Sequence, residues 1–273
     1  MAPREGNGGA GGVDVAGETP LLQARHLTKY YGAQRGCRDV SFDLYAGEVL
    51  AVVGESGSGK STLLSLLATH LEPTAGSVHY RTRDGNMRDL ALLSDAERRH
   101  LLRTDWGFVH QDPRNGLRMK VSAGGNVGER LMSVGWRHYG EIRGEAATWL
   151  ERVEIEGGRI DDRPDTFSGG MRQRLQIAKN LVTAPRLVFM DEPTGGLDVS
   201  VQARLLDLVR GLVADLGLAV IIVTHDLAVA RLMSHRIMVM RHGEVIETGL
   251  TDQVLDDPRE AYAQLLVSSV LQV

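Results

Sequence analysis

The stretch Gly54-Glu55-Ser56-Gly57-Ser58-Gly59-Lys60-Ser61 has the spacing of a phosphate cradle, G-x-x-x-x-G-K-[ST], without a mismatch. Its glycines permit positive φ, so successive N–H groups can turn into one concavity. Lys60 brings a full positive charge to the β and γ phosphates of a nucleotide. Ser61 offers a hydroxyl to Mg²⁺. A helix starting at Lys60 adds the partial positive charge of its N-terminus.

Phosphoryl chemistry also needs a metal and an oriented water. Leu187-Val188-Phe189-Met190 is a short apolar run that ends in Asp191-Glu192. If the run is a strand, both acids sit at its carboxyl end, the edge where open α/β sheets bind ligands. Asp191 can then hold Mg²⁺. Glu192, one residue on and facing differently, can polarise water as a general base. An acidic pair in this place can also cap a helix; the cradle upstream favours the chemical role. Ser168-Gly169-Gly170-Met171-Arg172 opens another helix about 20 residues earlier and makes a second anion-binding terminus. One nucleotide already has its cradle, so a second terminus makes sense if each copy of the chain closes the site of another.

The elements that must hold these residues follow from the pattern. Leu21–Tyr31 and Arg38–Leu44 read as strands, and Glu48–Val53 as a buried strand feeding the glycine loop. The helix from Lys60 carries a leucine stripe to Leu71 and is ended by Pro73 and Gly76. Ser77–Arg81 resumes as a strand, and Ser94 caps a polar helix over 93–103. Residues 116–182 are mostly helical, with helices over Glu145–Val153 and Met171–Val182. Val201–Leu216 is an amphipathic helix stopped by Gly217, and Leu218–Val223 is a second apolar strand. Arg236–Arg241 and Glu244–Thr248 flank His242-Gly243 as a hairpin, and a last helix covers about 258–270. Buried strands without alternation, each followed by a helix, predict an α/β fold with a parallel sheet covered on both faces. The early strands and the late hairpin are expected to form a small antiparallel β subdomain. Residues 1–20, rich in Gly and Ala, are expected to be a flexible extension, 21–273 the folded domain, and about 112–182 a helical subdomain inserted into it.

Composition removes several classes. Thirty-one Lys and Arg against 35 Asp and Glu give a net charge of −4, unlike a generic nucleic-acid coat. Hydrophobic residues, 42% of the chain, suffice for a core. Cys37 alone excludes a disulfide framework and points to a reducing compartment such as the cytosol. The longest apolar runs fall far below the roughly 20 residues of a spanning helix, so any membrane is served through a partner.

With these motifs in order, the sequence resembles the ATP-binding-cassette ATPases over about residues 21–250. The resemblance implies a P-loop fold with an antiparallel β subdomain and a helical insertion, ATP and Mg²⁺ as ligands, and two copies sandwiching two nucleotides. Tyr31 resembles the aromatic residue that stacks on adenine. The cradle contacts carried over are Gly54, Glu55, Ser56, Gly57, Ser58, Gly59, Lys60, Ser61 and Thr62, and the signature contacts are Ser168, Gly169 and Gly170. Gln111, in Phe108-Val109-His110-Gln111, resembles the glutamine that senses the γ-phosphate and reaches the metal alongside Ser61 and Asp191. Gly195-Gly196-Leu197-Asp198 resembles the dimer-contact loop. His225 resembles the switch histidine, so Glu192, His225, Gln111 and Lys60 form the implied catalytic set. The signature departs from the family at Met171, where Gln is usual.

Within that family, Gln111-Asp112-Pro113 resembles peptide and nickel importers, which usually continue with S-L-N-P where this chain has Arg114-Asn115-Gly116-Leu117-Arg118. The blocks Leu101–Gly107, Val121–Met132, Arg137–Arg143 and Phe167–Met171, with the ending Leu265–Val273, are similar to the cassette ATPases of the bacterial carbon–phosphorus lyase system. That resemblance implies a cytoplasmic ATPase of phosphonate catabolism whose partners are a second copy of itself, the lyase core complex and a second cassette ATPase subunit, with no nucleic acid and no direct membrane insertion. The rival readings are the ATP-binding subunit of a peptide, nickel or phosphonate importer, and a nucleotide-gated assembly module with negligible turnover. Intact Glu192 and His225 argue against the last. Trp136–Arg143 reads either as a solvated helix-loop or as a partner-docking face.

Overall fold

Leu187–Asp191, Ala219–Thr224 and Val49–Val53 are apolar at nearly every position, and in the computed structural model all three lie side by side in one sheet. The structure describes residues 19–32 and 34–270. The extension expected over 1–20 therefore lies, save for Thr19 and Pro20, outside the described residues.

The strands, in chain order, are β1 (Leu22–Tyr31), β2 (Gln34–Leu44), β3 (Val49–Val53), β4 (Ala75–Arg81), β5 (Met87–Asp89), β6 (Trp106–Val109), β7 (Leu187–Asp191), β8 (Ala219–Thr224), β9 (Arg236–Arg241) and β10 (Glu244–Leu250). They form a four-stranded antiparallel sheet, β2-β1-β4-β5, and a six-stranded sheet, β10-β9-β3-β8-β7-β6. Every pairing in the second sheet is parallel except β9 with β10.

The helices are α1 (Lys60–Leu67), α2 (Asp95–Thr104), α3 (Ala123–Ser133), α4 (Tyr139–Arg152), α5 (Gly169–Leu181), α6 (Val199–Leu216), α7 (Leu227–Met233), α8 (Thr251–Asp256) and α9 (Ala261–Val270). Alternate residues of the central strands enter two cores. Leu50, Val52, Phe189, Ile221 and Val223 face α1 and the antiparallel sheet. Val49, Ala51, Val53, Val188, Met190, Val220 and Ile222 face α5, α6 and α7. Apolar surface is thus buried on both sides, which is why these strands read as unbroken hydrophobic runs. Helices α3, α4 and α5 pack on one another as a helical unit.

Two expectations need correction. The late hairpin does not join the antiparallel region. Ile237–Met240 is fully buried, and β9 pairs in parallel with β3, so the hairpin finishes the central sheet. Helix α1 stops at Leu67, short of Leu71, because Thr69 turns to φ +58° and the His70 and Leu71 N–H groups fold back onto the Ser65 carbonyl.

Strand β6 is the outer edge of the central sheet, and its exposed backbone groups are met by amide side chains of α5. Asn180 Oδ1 accepts from the Phe108 N–H (2.9 Å) and Gln176 Oε1 from the His110 N–H (2.8 Å). Gln176 and Gln173 donate to the His110 carbonyl at 3.1 and 3.3 Å. The helix that opens with Ser168 is thereby stitched to the strand that leads into Gln111. Gln176→Met keeps the volume but strands the His110 N–H. Unfolding in urea should show a loss of about 1–3 kcal/mol, and unchanged stability would mean that these amides carry no load.

Candidate functional site

Strand β3 delivers the glycine loop at the carboxyl edge of the sheet, and α1 begins directly after it. Gly54 sits at φ +148°, and a Cβ there would overlap the Met240 carbonyl, so only glycine allows the loop to pass the end of β9. Lys60 is 95% buried beneath the loop and donates to the carbonyls of Gly54 (2.7 Å) and Glu55 (2.8 Å). An ammonium has three donors, so one remains for a ligand oxygen. Burial holds Lys60 below the usual lysine range, opposed by the carboxylates of Glu192, Asp191 and Glu55. The Ser58 hydroxyl is buried inside the loop with no protein partner. First-turn N–H groups of a helix have no intrahelical acceptor, so those of α1 add further donors. A ring of donors around one orphaned hydroxyl suits a polyphosphate.

The cleft above this loop has a volume of 230 Å³ and is lined by Tyr31, Gly36, Ser56, Gly57, Gly59, Lys60, Ser61, Thr62 and Glu192. Tyr31, at the end of β1, is 46% exposed and presents an open ring to it. Gly36 was not anticipated. A Cβ there would press on Tyr31 and Thr62; the sequence pattern starts this strand at Arg38, whereas β2 starts at Gln34 and includes the glycine.

Asp191 ends β7 and accepts from the Ser61 hydroxyl at 3.2 Å. Burial raises its carboxyl above the usual aspartate range, with Glu192 adding to the effect, while Ser61 and Lys60 pull it down. Hydroxyl and carboxylate together make a hard-oxygen pair that fits Mg²⁺, which binds through one or two carboxylates plus phosphate oxygens. Among the described residues, no cluster of three or more His, Cys, Asp or Glu converges as an all-protein cage.

Glu192 follows in the left-handed region, φ +40°, with its N–H bonded to the Val223 carbonyl of β8 (2.9 Å). A non-glycine residue held there is a strain that functional sites commonly carry. Its carboxylate is held by two side chains. Gln111 Nε2 donates to one oxygen at 3.0 Å and His225 Nδ1 to the other at 3.1 Å. A carboxylate only accepts, so this contact requires a proton on His225 Nδ1. Gln111 follows β6 and His225 follows β8, the two strands flanking β7, and the parallel sheet brings three distant residues to one edge.

Ser168 caps α5, accepting from the Met171 N–H at 3.2 Å. Gly170 abuts Val201 of α6, where a Cβ would meet its methyl at 2.5 Å. Gly169 lines a separate groove of 360 Å³ with Gln111, Arg114, Arg172, Gly195, Gly196 and Leu197. Ser168, Gly169 and Gly170 thus stand apart from the residues lining the glycine-loop cleft of their own chain. Gln111 touches both, through Glu192 on one side and the groove on the other.

The half-buried Asp191 carboxylate has a consequence for stability. A carboxyl whose folded pKa is raised favours the folded state at low pH and costs stability as pH rises past its unfolded value. Nucleotide-free Asp191→Asn should therefore be more stable than the parent at pH 8, and the gap should close towards pH 4. Denaturant titrations at the two pH values read this directly, and a gap that widened on acidification would refute the assignment.

Sheet, glycine loop and carboxylate pair define a P-loop fold built around nucleotide phosphates. The ABC transporter family model matches residues 37–195, and the chain belongs to that family as one of its ATP-binding, ATP-hydrolysing subunits. It is 65% identical over 253 residues to the putative phosphonates utilization ATP-binding protein PhnK of Escherichia coli, covering 93% of this chain and 98% of that one. It is 37% identical to the dipeptide transport ATP-binding protein DppF of Haemophilus influenzae, covering 94% and 80%. Among solved structures it resembles the dimer of the ATP-binding cassette MJ0796 in a post-hydrolysis state with ADP and Pi. That match has a TM-score of 0.75 and 30% identity, over 85% of this chain and 99% of the other. The expected fold class and family are borne out.

Proposed function

We propose that the chain binds Mg-ATP as a head-to-tail homodimer in the cytoplasm and hydrolyses it in the service of a carbon–phosphorus lyase complex that breaks down phosphonates. The observation that carries the hydrolytic part is the convergence of Lys60, Asp191 and a doubly held Glu192 on one cleft. Lys60 and the loop N–H groups grip the β and γ phosphates. Ser61, Asp191 and Gln111 would hold Mg²⁺, which supplies charge neutralisation on the phosphate oxygens. Glu192 takes a proton from the attacking water; Gln111 and His225 keep its carboxylate aimed and let it respond to the γ-phosphate. Tyr31 stacks on the base.

The separation of Ser168–Gly170 from the glycine-loop cleft supports a second copy. Each signature helix terminus would close the partner's nucleotide, as the solved dimers of related cassettes suggest. Met171 removes a side-chain amide from this contact but leaves the Ser168 hydroxyl and the α5 terminus. ATP binding would then close the dimer and hydrolysis reopen it.

The 65% identity to a phosphonates utilization protein, against 37% to a dipeptide transport one, favours a phosphonate system over a peptide importer. Among the described residues no helix is long and apolar enough to cross a membrane. The test is gel filtration of the purified chain with the carbon–phosphorus lyase core complex in Mg-ATP. Comigration is expected. Failure to bind it, with stable capture of a membrane permease instead, would reverse the assignment.

A further inference from the structure

Resting on the reading of Gly54–Ser61 as the phosphate loop, we infer that Tyr262 of α9 is a positioning residue for ATP binding, acting through the Gly54–Glu55 peptide on Lys60. Tyr262 is 6% exposed, and its hydroxyl accepts from the Glu55 N–H at 3.3 Å across more than two hundred residues of sequence. The carbonyl of that same peptide unit, Gly54 O, accepts from Lys60 Nζ at 2.7 Å. One peptide plane is therefore pinned at both ends, by a phenol on one side and by the phosphate-binding ammonium on the other. Releasing the N–H end lets the plane rotate and removes a carbonyl that aims Lys60.

The phenol is itself held firmly. The Arg241 guanidinium, at the end of β9, stacks 4.6 Å from the Tyr262 ring centroid. Glu247 of β10 accepts from the Arg259 N–H (3.0 and 3.2 Å) and the Glu260 N–H (3.0 Å), tying the start of α9 to the hairpin. That hairpin meets the loop a second time, where the Gly243 N–H donates to the Ser58 carbonyl at 2.9 Å. The C-terminal elements thus brace the outer wall of the loop, while its inner wall keeps its donors for phosphate.

Tyr262→Phe retains the ring and its stacking and deletes only the hydroxyl; Tyr262→Leu deletes both. In full-length protein, Tyr262→Phe should leave Tm within about 2 °C of the parent, the scale of a minor stability change. It should raise KM for Mg-ATP by about 3- to 10-fold with kcat within about twofold. Without nucleotide, the Glu55 amide should exchange with deuterium about tenfold faster. Unchanged exchange, or faster exchange with unchanged KM, would overturn the inference. A loss confined to Tyr262→Leu would also overturn it, since packing alone would then explain the residue. The exchange measurement needs no nucleotide, so it judges the contact even if the parent chain failed to bind Mg-ATP, which would instead defeat the proposed function.

Discussion

Glu192→Gln should slow steady-state ATP turnover by about 10²- to 10⁴-fold, the range that a positioned general base contributes, while Mg-ATP still binds. The substitution is nearly isosteric, so the left-handed turn at φ +40° and the N–H bond to Val223 should survive. The basic carboxylate oxygens are lost. Gln111 and His225 both donate to Glu192, and an amide retains a single oxygen to receive them. Radiolabelled phosphate release under saturating Mg-ATP measures the effect, with nucleotide retention on a filter as the control. Turnover within threefold of the parent would remove Glu192 as the base.

Lys60→Ala should weaken nucleotide binding by about 10²-fold. Charge-assisted hydrogen bonds to a ligand are worth about 1.5–3 kcal/mol each, and the ammonium also braces the loop through Gly54 and Glu55. Isothermal titration with Mg-ADP and Mg-ATP reads both Kd values, and the γ-phosphate should magnify the loss. The fold should persist, because the cation is held against its own desolvation and its removal relieves that cost. A Kd within about threefold of the parent would mean that the phosphates lie elsewhere.

How much of this was readable in advance depends on how local each cause is. The loop from Gly54 to Ser61 is a local structure: its glycines, its lysine and the helix start are contiguous, so the order of residues carries the geometry. Asp191 and Glu192 were readable because the short apolar run before them has the pattern of a buried strand and the phosphate cradle upstream gives the acids a role. Gln111 and His225 are different. Each is a single polar residue after a strand, and only the sheet order β8-β7-β6 brings them within 3.1 Å of Glu192. Family resemblance pointed to them where residue patterns could not.

Strand β6 went unread because Trp-Gly-Phe-Val is four residues long and contains a glycine. Gln173, Gln176 and Asn180 fall on a face of α5 that meets a sheet edge, and polar residues at helical spacing ordinarily signal solvent. The hairpin β9–β10 was recognised but assigned to the wrong sheet, since local pattern gives a strand's burial and not its neighbour. Tyr262 gave no signal, because its partner is a backbone N–H at the far end of the chain.

The central claim is that one copy's glycine loop and the other's Ser168–Gly170 turn grip the same triphosphate. Sedimentation of the Glu192→Gln chain with and without Mg-ATP tests it most directly. A shift from monomer to dimer that needs ATP, and that Lys60→Ala abolishes, is the predicted result. A species that stays monomeric at tens of micromolar with the nucleotide demonstrably bound would contradict it.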